Sequence, residues 1–297
     1  MISPGQKVYS YFPGCSLETT NKAYDVSTRN VASVLGIEMV EVPDWNCCGA
    51  TAYMSIDDRR AMVLSTRNLA LAEAQARDLV AVCSGCYVVL NKANHRFQDD
   101  RELRDHVRFA LRAGGLDYKG TVRVRHFLDV VVNDLGQEPI GRHVVKRLTG
   151  LRVACYYGCQ ITRPYAEFDD AEFPTSMDRL MSWLGATPVD FQLRTKCCGG
   201  MLMTTAQEVG LTAAGGLLAA AREAGADLIA TACPLCQVNL EAYQAEIAAR
   251  RQAPVEIPVL YFTQVLGIAL GLGAKELLLG DALTAAEEIG ARPVEAS

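Results

Sequence analysis

Histidine is scarce in this 297-residue chain, with four in all, and none of them stands beside an acid and a nucleophile in a way that suggests proton-transfer catalysis. His95, His106, His126 and His143 read as surface or helix residues in charged settings. No basic stripe is present: the net charge is −5 and the lysines and arginines are scattered, which argues against nucleic acid as a partner. No Gly-x-Gly-x-x-Gly follows a strand-like run, and Gly215-Gly216 lacks the rest of that pattern, so no nicotinamide or flavin fingerprint is found. The first residues lack the basic start and apolar run of a secretory signal, which places the chain in the cytoplasm as an expectation. The longest uncharged run, residues 257–274, contains Pro258, Thr263, Gln264 and several glycines. It reads as a buried strand at 258–260 followed by a core helix rather than a transmembrane segment, leaving only loose membrane association through partners.

What the sequence does have is an internal repeat. Cys47-Cys48-Gly49 returns as Cys197-Cys198-Gly199, and Cys83-Ser-Gly-Cys86 returns as Cys233-Pro-Leu-Cys236, both 150 positions later. Ala-Ser-Val-Leu-Gly (32–36) matches Met-Ser-Trp-Leu-Gly (181–185), and His126-Phe-Leu-Asp-Val matches Tyr261-Phe-Thr-Gln-Val. Half the residues are apolar, enough to build a folded core throughout. Short β-branched runs alternate with helical periods, which predicts an α/β fold of two pseudo-symmetric modules, residues 1–145 and 146–297, each with a short, mostly parallel sheet. Strands are expected at 8–12, 38–42, 79–82 and 122–125, then at 152–156, 189–192, 228–231 and 259–260. Helices are expected at 22–35 and 59–76, the second opening on Asp57-Asp58-Arg59-Arg60, and the alanine-rich 219–226 reads as plain helix. The cysteines then fall on loops at strand ends, where such folds place ligands.

Ten of the eleven cysteines form two sets of five: Cys15, Cys47, Cys48, Cys83 and Cys86, then Cys159, Cys197, Cys198, Cys233 and Cys236. The tyrosine-containing lead-ins, Tyr11-Phe-Pro-Gly-Cys15 and Tyr156-Tyr-Gly-Cys159, select Cys159 rather than Cys155 to open the second set. Cys155 is then a small buried hydrophobe or an alternative first ligand. Disulfides suit a small secreted chain, and adjacent cysteines bridge only with strain. Zinc takes four ligands, so five thiolates overfill it, although a zinc site using four of them in one half stays open. An iron–sulfur cluster accommodates soft thiolates, and a fifth can bridge metals; two sulfurs on consecutive residues reach different irons.

At these residues the chain resembles the CCG-domain family, and within it the B subunits of heterodisulfide reductases and their bacterial sulfur-metabolism relatives. Two copies of Cys, gap, Cys-Cys-Gly, gap, CxxC carry the resemblance, with the Tyr-Gly-Cys lead-in and the Pro-Val-Leu-Tyr-Phe-Thr-Gln segment (258–264). The resemblance implies two noncubane [4Fe-4S] clusters, one per cysteine set, facing each other across the two halves. It also implies reductive cleavage or formation of a disulfide between them, with electrons from iron–sulfur and flavin subunits of a larger complex. The substrate would be a heterodisulfide or a lipoyl-type group. A non-catalytic electron-transfer subunit linked to quinone or to succinate or fumarate reductase is the rival, and a zinc-stabilised scaffold the third reading. Lys196, and Arg163 just past Cys159, are candidates for holding an anionic substrate or reduced clusters, or else solvated loop charges.

Overall fold

Alternation of strand and helix gives the same parallel sheet twice in the computed structural model, which describes residues 7–50, 53–284 and 289. The first sheet contains β1 (Lys7–Phe12), β2 (Ile37–Glu41), β3 (Leu79–Ala81) and β4 (Val124–His126) in the order β2-β1-β3-β4. The second contains β5 (Arg152–Tyr156), β6 (Thr187–Pro188), β7 (Leu228–Thr231) and β8 (Val259–Tyr261) in the order β6-β5-β7-β8. Every pairing is parallel, and β3 and β7 are buried along their whole length, as expected for strands covered by helices on both faces. In each order the chain leaves the first strand to one side and returns on the other. The topological switch point therefore lies at the carboxyl ends of β1 and β3, and again of β5 and β7.

Most expected elements appear within a residue or two. The helix that follows Asp57 runs Asp58–Glu73, because the Asp57 carboxylate accepts the Arg60 amide at 3.0 Å and caps it. Two expectations are corrected. The strand expected at 189–192 is replaced by the two-residue β6 at Thr187–Pro188. Beyond Val189, whose amide still reaches the Val153 carbonyl, the chain turns so that the Arg194 carbonyl can accept the Tyr157 and Gly158 amides. His126, expected as a surface or helix residue, is fully buried at the end of β4.

The two sheets share one core. A single apolar cluster takes Tyr9, Tyr11, Val31 and Val80 from the first half and Val153, Met177, Leu180 and Phe262 from the second, with a further cluster on the outer side of each sheet. The helix Lys22–Val34 packs on Phe262–Ala269 across the seam. There the Ser27 and Thr263 hydroxyls bond at 2.7 Å, Asn21 donates to the Tyr261 hydroxyl at 2.7 Å, and Tyr24 stacks on Tyr261 with ring centroids 4.0 Å apart. Such buried polar contacts fix the register of two apolar faces that could otherwise slide.

Candidate functional site

Each cysteine set is assembled by the fold in the same way. The single cysteine follows the first strand of its half, the Cys-Cys-Gly follows the second, and the CxxC follows the third. Cys83 caps the helix Ser84–Asp99 and Cys233 caps Pro234–Glu241, so each CxxC opens a helix whose amino end favours negative sulfur.

All ten predicted cysteines converge on these two places. In the first half Cys15 Sγ lies 3.7 Å from Cys47 Sγ and Cys48 Sγ 3.2 Å from Cys86 Sγ, with Cys83 in contact with Cys86. In the second, Cys198 Sγ lies 3.5 Å from Cys236 Sγ, while Cys159 touches Cys197 and Cys233 touches Cys236. None is joined in a disulfide. Cys15, Cys47 and Cys197 are exposed, and Cys48, Cys86, Cys198, Cys233 and Cys236 are buried. The two sets also adjoin each other, for Ser84, next to Cys83, donates to the carbonyl of Ala232, next to Cys233, across the seam at 2.9 Å.

The electrostatics follow from this crowding. Hydrogen bonds from Cys15 and Cys48 pull Cys47 towards the thiolate, and those from Cys197 and Cys236 do the same for Cys198. Cys86 and Cys236, which share protons with Cys48 and Cys198, are pushed up. Thiols that ligate a metal give up their protons when it binds, and this grouping sets five of them within reach of one another in each half. Among the described residues, no three Cys, His, Asp or Glu side chains enclose a single metal ion. Five thiols per set are a soft donor set of the kind that iron–sulfur clusters take.

The backbone has been shaped to admit something beside the thiols. Gly14 and Gly158, each just before the first cysteine of its set, have φ of +79° and +71°. A Cβ at Gly14 would lie 2.9 Å from Cys86 Sγ, and one at Gly158 3.2 Å from Cys236 Sγ. Gly49 and Gly199 also have positive φ, so both Cys-Cys-Gly turns need glycine.

Other predicted residues fall elsewhere. Cys155 points into the shared core, where burial pushes its thiol up, and takes no part in the second set. Lys196 is exposed next to Cys197, and Arg163 donates to the Thr195 carbonyl, bracing the loop that leads to Cys197. His95 pairs with Glu167 at 2.8 Å and stacks on Tyr165 at the surface, and His106 and His143 are exposed.

Sequence reasoning missed the supports around the thiols. Asn239 donates to the Gly200 carbonyl (2.9 Å), the Cys198 carbonyl (3.3 Å) and Cys198 Sγ (3.5 Å). Tyr156 gives its hydroxyl proton to the Lys196 carbonyl (2.7 Å), 3.9 Å from Cys236 Sγ. His126 sits at the seam near the Val82 and Ala232 carbonyls. Its Nδ1 accepts the Leu128 amide (3.1 Å), and burial lowers its pKa to about 4, so it is neutral. The signal for these residues was present in the mismatches between repeats: Asn239 stands where the first half has Val89, and Tyr156 where it has Phe12.

Comparison with known proteins agrees with the repeated site. The profile of the cysteine-rich domain CCG matches residues 9–91 and 153–241. The chain is 34% identical to the 8-methylmenaquinol:fumarate reductase membrane anchor subunit of Wolinella succinogenes, covering 96% of this chain and 100% of that one. It is 32% identical to the B subunit of the ferredoxin/F(420)H(2)-dependent CoB-CoM heterodisulfide reductase of Methanosarcina acetivorans, over 90% and 91% of the two chains. A protein of Archaeoglobus profundus described as like the B subunit of heterodisulfide reductase is 30% identical over 97% and 98%. In fold, the chain is similar to a hypothetical protein from Helicobacter pylori (TM-score 0.76, 16% identity), covering 92% of this chain but about half, 51%, of that one. No helix among the described residues is long and apolar enough to cross a membrane.

Proposed function

The chain belongs to the cysteine-rich CCG-domain family, with heterodisulfide reductase B subunits among its relatives, and from that premise we propose that it is an iron–sulfur thiol–disulfide oxidoreductase subunit. Cys15, Cys47, Cys48, Cys83 and Cys86 would hold one noncubane [4Fe-4S] cluster, and Cys159, Cys197, Cys198, Cys233 and Cys236 the other. The observation that carries this reading is the Ser84 hydroxyl's bond to the Ala232 carbonyl at 2.9 Å, which joins the residues beside Cys83 and Cys233 and so sets the two thiol groups side by side at one seam. When bound, such clusters supply electrons singly, so a pair of them can deliver the two electrons that break an S–S bond, two protons from solvent completing the thiols.

The protein's own residues hold the two sets in place for that reaction. The stacked Tyr24 and Tyr261 rings and the Asn21 bond make the seam rigid. The Ala232 carbonyl, at the end of β7, accepts Ser84 (2.9 Å) and Tyr24 (3.3 Å) from the other half and so ties the second CxxC to the first. Gly14 and Gly158 leave the space a cluster needs against Cys86 and Cys236. Electrons would come from iron–sulfur and flavin partner subunits on the cytoplasmic side of a membrane or free of it. The substrate would be a heterodisulfide or a lipoyl-type disulfide.

The similarity to a fumarate reductase subunit supports a second reading, a subunit that only relays electrons. Disulfide cleavage by the cluster-loaded chain, driven by a reduced one-electron dye, separates the two. Turnover with a small mixed disulfide or a lipoyl peptide is expected; a fully loaded chain that reduces none of them would leave the relay.

A further inference from the structure

The two cysteine sets coincide in topology and in the interval from Cys-Cys-Gly to CxxC, yet a difference lies directly on a buried sulfur. Each Cys-Cys-Gly turn must have its first buried carbonyl held, and the two halves do so differently. In the first half the Ser65 hydroxyl, with one proton to give, lies 2.7 Å from the Cys48 carbonyl and 2.9 Å from the Ala61 carbonyl, so none is left for a sulfur. In the second half the position equivalent to Ser65 is Gly215, and the Cys198 carbonyl is held by Asn239 from the CxxC helix. An amide has two N–H groups. One serves the Gly200 carbonyl and the other is shared between the Cys198 carbonyl and Cys198 Sγ. The equivalent of Asn239 is Val89, an apolar side chain packed in the outer core of the first half with Cys48 and Cys86.

Resting on the two-cluster reading above, we infer that Asn239 makes the second cluster the more easily reduced of the pair. Adding an electron to a thiolate-ligated cluster adds negative charge to its sulfurs, and a fixed N–H aimed at one of them stabilises the reduced form more than the oxidised form. Solvent is matched at the buried sulfurs beside Asn239 and Val89, with Cys48 2% exposed and Cys198 3%, Cys86 and Cys236 both 5%; elsewhere Cys15 and Cys83 are more open than Cys159 and Cys233, and there water works against the amide. Backbone donors do not cancel it either, since the glycine amide after each cysteine pair faces the first cysteine of that pair in both halves, and the Ser16 hydroxyl serves the exposed Cys15, where water competes. Glu18, Glu41 and Asp44 line the open cavity that contains Cys15 and Cys47, whereas Lys196 adjoins Cys197. These charged surroundings decide little, since Glu41 is paired with Arg29 and Asp44 with Arg67. The Tyr156 hydroxyl is not counted, because its proton is given to the Lys196 carbonyl. An electron entering the pair therefore settles first on the second half, and the first half is the side filled last.

The test is a dye-mediated redox titration, followed by electron paramagnetic resonance, of the anaerobically purified full chain after its iron and acid-labile sulfide have been counted. The wild type is expected to show two one-electron steps. Asn239→Val should lower the step of higher potential by about tenfold in its reduction equilibrium, which is about 59 mV for one electron, and leave the other in place. Val89→Asn, which offers the first half the same donor, should raise the step of lower potential and narrow the gap. A purely structural Asn239 would change iron content or stability without moving one potential against the other. Full loading with coincident wild-type potentials, or with steps that both variants leave unmoved, overturns the assignment of Asn239 and leaves the two-cluster reading intact. Iron and sulfide far below eight per chain in the wild type overturn both.

Discussion

The first half of the molecule and the second agree in how their sulfurs are placed and differ at several positions where the two halves touch each other. Strand order, the five cysteines and the positive-φ glycines before and after them recur. At the seam the equivalents have diverged: His126 opposes Tyr261, Leu128 opposes Thr263, and Arg125 opposes Leu260. Arg125 is 4% exposed and is paired with Asp129 and, at 2.9 Å, with Asp134, which in turn accepts the Tyr9 hydroxyl at 2.6 Å. The second half has nothing comparable at Leu260. A duplicated module that packs against its own copy keeps its cysteine sets, while its inner faces adapt to one another. The sites are therefore twins and the seam is not.

The largest effect expected from breaking this comparison concerns the sulfurs. Cys48→Ala and Cys198→Ala should each remove about four of about eight irons and abolish disulfide cleavage. Metal analysis of the two variants checks the equivalence, which fails if one of them loses all its iron and the other none. Next comes the buried histidine. The folded pKa of His126 is about 4, below its ordinary value of 6.5, with Asp129 the charged group that opposes the shift. Between those values the unfolded chain binds the extra proton, so stability falls as the pH is lowered from 6.5 and levels off below 4. The loss is about 3 kcal/mol at most. Urea unfolding across that range should show it, and His126→Phe should flatten the profile; an unchanged slope would mean that His126 does not titrate there.

Glycine before the first cysteine is the next comparison. Gly14→Ala and Gly158→Ala each force a residue into the left-handed region, at about 1–2 kcal/mol, and each press a methyl on a thiol. Gly14→Ala should retain less iron than Gly158→Ala, since its Cβ comes closer to sulfur, 2.9 Å against 3.2 Å. The smallest effect lies at equivalent serines on the seam. Ser27 is bonded to Thr263, and its change to alanine should cost about 1–2 kcal/mol by stranding a buried hydroxyl. Ser176 occupies the matching place in the second half, and its buried hydroxyl has no partner, so Ser176→Ala should be neutral or slightly stabilising. Parallel thermal melts of the two variants measure the contrast.

Much of this was legible in the sequence because a repeat is visible without coordinates. The two sets, the parallel sheets and the buried strand-helix at the end of the second half followed from spacing and periodicity. Strand β6 did not, since Val189 to Gln192 carries β-branched and apolar residues but is drawn into turns by the needs of the Tyr157 and Gly158 amides. His126 was misplaced because its neighbours Arg125 and Asp129 are charged; in the fold they neutralise one another inside the protein. Asn239 was passed over because a lone asparagine in a helix carries no signal until it is set against Val89.

The claim on which everything else depends is that each half holds its own four-iron cluster. Iron, zinc and acid-labile sulfide measured on the anaerobically purified chain test it most directly. About eight irons and about eight sulfides per chain are predicted; one or two zincs with no sulfide would contradict it.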